Sequence, residues 1–194
     1  MSIIVDSGGS NIGSVLYALE RLGKPATLSR DPEQIAAADH VILPGVGSAP
    51  SGMNKLQQIE LVDCLQNLKQ PVLGICLGMQ LMFDHSEEGD TNCLGIIPGA
   101  ISHFPQMENM SIPHMGWNQI KTQKQSPLLT GLDESWFYFV HSYHASVSNN
   151  TLASCDYGIE FSAIVQQGNY FACQFHPEKS ASAGARLLQN FLEL

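Results

Sequence analysis

Between residues 2 and 84 one pattern recurs: a short apolar run, a turn usually containing glycine, then a stretch whose apolar residues return at threes and fours. Ile3-Ile4-Val5 opens into Asp6-Ser7-Gly8-Gly9-Ser10, and Asn11 stands where it can cap a helix carrying Ile12, Val15, Leu16, Leu19 and Leu22 on one stripe. A short strand near Ala26 to Leu28 precedes Asp31-Pro32-Glu33, a helix start with proline in the first turn, and Ile35 to Ala38 complete that helix. His40 to Leu43 opens into Pro44-Gly45-Val46-Gly47-Ser48, followed by a helical pattern from Gly52 to Leu68. Val72 to Ile75 then runs into Cys76 and an apolar helical pattern through Leu81, Met82 and Phe83. Repeated alternation of strand and helix argues for parallel pairing with the helices packed on the faces of the sheet. The expected fold is therefore α/β, an open, mainly parallel twisted sheet flanked by helices, with its sites at the carboxyl ends of the strands.

Beyond Asp84 the texture changes. His85 to Asp90 reads as a polar surface loop, and short strand-like runs follow at Leu94 to Ile97, Trp117 to Ile120, Trp136 to Val140, Thr151 to Cys155, Phe161 to Val165 and Tyr170 to Phe175. Gln167-Gly168-Asn169 joins the last two as a hairpin turn, so this second half is expected to pair partly antiparallel before a closing helix over Ser180 to Leu194. No linker or repeat interrupts the chain, and residues 1–194 read as one domain, with 44% hydrophobic residues to build its core.

Nine basic against eighteen acidic residues, without a basic run, argue against a nucleic-acid partner gripped through its phosphates. Ser10 occupies the place of the second glycine of a dinucleotide fingerprint, which weakens a nucleotide reading. No apolar stretch approaches membrane-spanning length, and no basic segment precedes an apolar one at the amino terminus, so a soluble, cytoplasmic protein with no membrane partner is expected. Five cysteines in no CxxC arrangement suggest neither a disulfide framework nor zinc, and leave Cys64, Cys93, Cys155 and Cys173 as packed thiols. Seven histidines without paired ligand spacing point to no metal.

Gly74-Ile75-Cys76-Leu77-Gly78 has the spacing of a nucleophile elbow, with cysteine where hydrolases carry serine. A tight strand-to-helix turn strains the backbone of its central residue, and glycines beside it leave room for substrate. At a helix start the thiolate faces unpaired N–H groups, which lower a thiol pKa from its free value of about 8.5. A buried structural cysteine in a glycine-rich turn would have the same spacing. His176-Pro177-Glu178 follows the last apolar run and offers a base and a carboxylate to orient it, although the tripeptide alone is commonplace in loops. Gly45-Val46-Gly47 can turn N–H groups inward to hold an oxyanion, or form an ordinary β-to-α turn. His141 and His144 flank Ser142-Tyr143 at another strand end, and Pro113-His114-Met115-Gly116-Trp117-Asn118 mixes polar and aromatic residues beyond what strand packing needs. Satisfied loop histidines and a core tryptophan remain the alternative there.

The segments Gly74-Ile75-Cys76-Leu77-Gly78-Met79-Gln80 and Gln174-Phe175-His176-Pro177-Glu178 together closely resemble those of class I, triad-type glutamine amidotransferases. Within that family, Pro44-Gly45-Val46-Gly47, Pro113 to Asn118 and Phe139-Val140-His141-Ser142-Tyr143 are similar to the glutaminase subunits of imidazole glycerol phosphate synthases in histidine biosynthesis, a resemblance covering essentially the whole chain. The turn at Asp6 to Ser10 departs from the family's more usual aromatic and glycine choices, while Asn11 is retained.

The resemblance implies that Cys76 attacks the side-chain amide of L-glutamine to give a thioester and ammonia, with His176 shuttling protons and Glu178 orienting it. It implies an oxyanion hole from the Leu77 N–H and one of Gly45, Val46 and Gly47, glutamine held by Gln80, Ser142 and Tyr143, and no cofactor. Ammonia would pass to a barrel-fold cyclase in a heterodimer, with Asn11, Met115, Trp117 and Tyr138 on the partner-facing surface. Alternatives are a triad glutaminase serving the synthesis of anthranilate or pyridoxal phosphate, a cysteine hydrolase acting on peptides, and a binding module without catalysis. The Pro-His-Met-Gly-Trp-Asn run counts against the first, and the coexistence of nucleophile, base and carboxylate against the last.

Overall fold

A computed structural model describes residues 1–8, 11–108 and 110–194. In the first half, strands β1 (Ser2–Val5), β2 (Ala26–Ser29), β3 (His40–Leu43) and β4 (Val72–Ile75) alternate with helices α1 (Ile12–Arg21), α2 (Pro32–Ala36), α3 (Ala49–Gln58), α4 (Val62–Gln66) and α5 (Leu77–Leu81). In the second half, β5 (Phe83–Ser86), β6 (Thr91–Asn92), β7 (Ile97–His103), β8 (His114–Thr122), β9 (Trp136–His141), β10 (Tyr143–Ala145), β11 (Thr151–Asp156), β12 (Glu160–Gln167) and β13 (Tyr170–Cys173) precede the terminal helix α6 (Ala181–Leu192).

The main sheet runs in the order β2-β1-β3-β4-β13-β12-β11-β8-β9. From β2 to β13 its neighbours are parallel, and from β13 to β9 they are antiparallel. A smaller sheet, β10-β7-β5-β6, lies beside it. The inner parallel strands β1, β3 and β4 read as nearly uninterrupted apolar runs because both their faces are covered, whereas the edge strand β2 leaves Thr27 and Leu28 exposed. Ile4, Ile42 and Leu73 pack in a cluster with Val15 and Leu19 of α1 and Leu187, Leu188 and Phe191 of α6. Their sequence neighbours Ile3, Val41, Leu43 and Val72 point the other way, into a cluster with Ile35 of α2, Leu56 of α3 and Leu65 of α4. Alternation along each strand thus feeds two separate cores.

Several sequence expectations shift. The helical pattern from Gly52 to Leu68 is two helices, broken where Glu60 takes a left-handed φ of 55°. The helix after Cys76 ends at Leu81, and Phe83 begins β5, so part of the expected polar loop at 85–90 is strand. Leu94 to Ile96 lie outside any strand, and β7 begins at Ile97. Apolar runs of four residues fit a buried strand, a buried helix or a packed loop equally well, and tertiary contacts chose among them. Among the described residues no helix is long and apolar enough to cross a membrane.

Candidate functional site

Cys76 lies between β4 and α5 with φ 54° and ψ −107°, a conformation that costs a non-glycine residue on the order of 1–3 kcal/mol. Two contacts hold it there. Its N–H donates to the Cys173 carbonyl at 2.8 Å, which ties the elbow to β13, and its own carbonyl accepts from the Gln80 N–H one helical turn later. A Cβ on Gly78 would stand 1.9 Å from the Leu43 carbonyl oxygen, and one on Gly74 would stand 2.9 Å from the Gly78 carbonyl. The glycines therefore admit the protein's own backbone, with α5 pressed against the end of β3, where the sequence suggested room for substrate.

The imidazole and carboxylate arrive from β13. After Phe175 the chain keeps His176 extended, and Pro177 starts a short 3-10 turn that brings Glu178 back, so that Glu178 Oε1 lies 2.7 Å from His176 Nδ1. The side chains of both are essentially inaccessible to solvent. Ser180 pins this turn: its hydroxyl donates to the His176 carbonyl at 2.6 Å and accepts from the Tyr138 N–H at 3.0 Å. The His176 N–H in turn donates to the Tyr138 carbonyl at 2.9 Å. Burial disfavours charge on His176, but hydrogen bonds to Cys76 and Glu178, and the negative charges of those groups, outweigh it and push its pKa up to about 9. The arrangement favours a proton on the His176 ring.

Asn11, expected to cap α1, makes no side-chain cap. Its Nδ2 instead donates to Glu178 Oε1 and lies 3.4 Å from His176 Nδ1.

A cleft of about 260 Å³ opens over the thiol, lined by Cys76, Leu77, Gln80, Ser142, Tyr143 and Gly47, together with Glu88, Pro113, Val140 and His141. Gly47 has φ 106°, a backbone conformation that side chains rarely adopt. Gly45 and Val46 line a neighbouring cavity with Pro44, Lys55 and Leu77. Of the three loop residues expected at an oxyanion, Gly47 alone lines the thiol cleft. Met115 and Trp117, 62% and 50% exposed, stand on the outward face of β8, and the ring of Trp117 meets Tyr138 of β9 edge to face at 6.3 Å. Cys64, Cys93, Cys155 and Cys173 are free thiols, the last two buried.

Two polar networks join residues assigned roles from the sequence, Cys76, Gln80 and Tyr143, to others assigned none, Gln174, Asn118, His114 and His141. In the first, Gln80 Nε2 lies 3.1 Å from the Tyr143 carbonyl and 3.0 Å from Gln174 Oε1, and Gln174 Nε2 lies 3.9 Å from Cys76 Sγ. In the second, Asn118 Nδ2 donates to the Asp156 carbonyl at 2.8 Å and approaches His114 Nε2 at 3.4 Å; His114 Nδ1 meets His141 Nε2 at 2.9 Å, and His141 Nδ1 reaches the Tyr143 carbonyl at 2.7 Å. A carbonyl only accepts, so His141 carries its proton on Nδ1, its Nε2 accepts from His114 Nδ1, and His114 Nε2 faces the Asn118 amide. Both rings are neutral, burial lowering His114 to about 4 and His141 to about 3. The histidines weighed as loop residues are buried, and their chain runs from the strand that displays Trp117 to the turn that lines the cleft. The signal available in the sequence was polar residues, Gln174 above all, set in otherwise apolar strand ends.

The family of class-I glutamine amidotransferases matches residues 3–194. A protein of Xanthomonas campestris pv. campestris, imidazole glycerol phosphate synthase subunit HisH, is 52% identical over 192 residues, covering 98% of this chain and 96% of its own. Imidazole glycerol phosphate synthase subunit HisH 2 of Legionella pneumophila is 52% identical over 195 residues, covering 100% and 98%. A solved glutamine amidotransferase structure superposes with a TM-score of 0.76 at 19% identity, covering 98% of this chain and 97% of that one, a likeness of fold.

Proposed function

Because the chain belongs to the class-I glutamine amidotransferase family, we propose that it is the glutaminase subunit of an imidazole glycerol phosphate synthase. In this reading it hydrolyses L-glutamine through a thioester on Cys76 and hands ammonia to a barrel-fold cyclase for histidine biosynthesis. The 194 residues act as one glutaminase domain. The observation that carries the reading is the strained Cys76 elbow joined to a buried His176–Glu178 pair.

With the ring protonated, the thiolate Sγ attacks the side-chain amide carbon of glutamine. The Leu77 N–H and one from Gly45, Val46 or Gly47 receive the oxyanion. His176 gives its proton to the amide nitrogen, the C–N bond breaks, and ammonia leaves. Water then attacks the thioester carbon while His176 takes a proton from it, and expulsion of the sulfur releases glutamate and frees Cys76 for another cycle. Glu178 holds the ring in the Nδ1–H tautomer, and Asn11 steadies the carboxylate. Gln80, Ser142 and Tyr143 hold the amino-acid part of the substrate in a cleft small enough to suit one. The division of the 45–47 loop between two cavities supports a loop that turns an N–H toward the thiol when the partner binds.

Exposed Met115 and Trp117 beside Tyr138, close to the His176 turn, support docking of the cyclase on this face, where released ammonia has a short path. Net charge of −9 and the absence of a basic run fit a neutral substrate here and a phosphorylated one on the partner. Free thiols fit the reducing cytoplasm. In the assembled synthase, Cys76→Ala is expected to abolish glutamine-dependent turnover and to spare turnover driven by ammonium salts. Glutamine-dependent turnover surviving the substitution would sink the assignment.

A further inference from the structure

Gln174 is completely buried, an amide set between Cys173 and Phe175. Burying an amide costs free energy unless its donors and acceptors are matched, and here the matching has a direction. The Tyr143 carbonyl can only accept, so the Gln80 atom 3.1 Å from it is nitrogen. That same Nε2 faces Gln174 at 3.0 Å, so the Gln174 atom there is its carbonyl oxygen. The remaining end of Gln174 is then its NH2, and it lies 3.9 Å from Cys76 Sγ, within reach of a weak hydrogen bond to sulfur. One backbone carbonyl thereby settles the orientation of two side-chain amides and aims an N–H at the nucleophile.

A consequence follows for the cleft. Both N–H groups of Gln80 are engaged inside the protein, so the atom it presents to a ligand is its carbonyl oxygen. We infer that Gln174 is a positioning residue that, with the Tyr143 carbonyl, holds Gln80 as an acceptor for an N–H group of the amino-acid substrate and supports the Cys76 thiolate through its own N–H. Without Gln174, the Tyr143 carbonyl alone holds the Gln80 amide, one Gln80 N–H loses its partner inside the protein, and the carbonyl oxygen is held less firmly toward the substrate. The inference rests on Cys76 being the nucleophile and Gln80 a substrate contact, as proposed above.

The test uses the synthase assembled with its partner. In Gln174→Met, which keeps the volume and removes both polar ends, KM for glutamine is expected to rise roughly tenfold, the scale of one lost hydrogen bond. The pH midpoint for alkylation of Cys76 by iodoacetamide, followed on the Cys76 peptide by mass spectrometry, is expected to move upward. Because Gln174 acts on KM through Gln80, Gln80→Ala combined with Gln174→Met should have the KM of Gln80→Ala alone. A merely structural role would instead lower the melting temperature and add to the effect of Gln80→Ala. An unchanged KM, an unmoved alkylation midpoint or additive KM effects would overturn the inference. Should Gln174→Met fail to fold, Gln174→Asn, which withdraws the amide by one methylene, is judged by the same three measurements. Glutamine turnover that persists in Cys76→Ala would instead remove the underlying assignment, and the two failures are told apart by that control.

Discussion

Replacing Gly78 by alanine sets a methyl carbon 1.9 Å from the Leu43 carbonyl oxygen, far inside the 3.0 Å below which Cβ contacts are essentially never seen. The obstacle is backbone on both sides, so no side chain can swing away. Relief requires α5 to retreat from β3 by about 1 Å, and a displacement of that size at a reacting centre costs on the order of 10²-fold in rate. Cys76, at the head of α5, would move with it and lose its alignment with His176. Overpacking of this kind also destabilises by about 1–3 kcal/mol, which for a chain of this length lowers the melting temperature by roughly 2–4 °C per kcal/mol. The assay is glutamate release by the assembled synthase, coupled to a dehydrogenase, beside a thermal melt of the subunit. Both should fall together. If glycine served only to leave room for substrate, KM would rise with no change in melting. Turnover within twofold of wild type at an unchanged melting temperature would refute the packing argument altogether.

Two further predictions concern pH. His176 is held at about 9, above its ordinary 6.5, so the folded state keeps a proton that the unfolded chain releases between those values. Its stabilising contribution is complete below pH 6.5 and is lost as pH rises through 9. Glutamine turnover should show its alkaline limb there, because the ring must carry the proton given to the leaving nitrogen; a limb near 7 would contradict that role for His176. His114 behaves oppositely, since burial lowers it to about 4 and the folded state refuses a proton that the unfolded chain takes up below pH 6.5. It should withdraw about 2 kcal/mol of stability between pH 7 and pH 5, visible in urea titrations as a steeper acid loss for wild type than for His114→Gln. Equal slopes for the two proteins would show that the Asn118–His114–His141 chain does not hold its rings neutral.

The sequence by itself determined the parallel half of the fold and pointed to Cys76, His176 and Glu178 as one site. Apolar runs such as Ile3-Ile4-Val5 and Val72 to Ile75 are ambiguous singly, but their regular alternation with helical patterns admits little but covered parallel strands, because local backbone chemistry and burial demand the same thing there. His176 and Glu178 were legible for a similar reason, since a short turn after a strand end brings positions 176 and 178 together. Element boundaries were not legible where apolar pattern had no punctuation, as at Glu60 and between Leu81 and Phe83. Only the tertiary structure decided which partner each polar side chain chose. Asn11 could have capped its own helix but turned to Glu178, 167 positions away. Gln174 looked like an ordinary member of a motif until the Tyr143 carbonyl, brought in by a different strand, gave its amide a direction. Hydrogen bonds between distant strands have no periodicity along the chain, and their donors and acceptors are settled only when packing removes water from both ends at once.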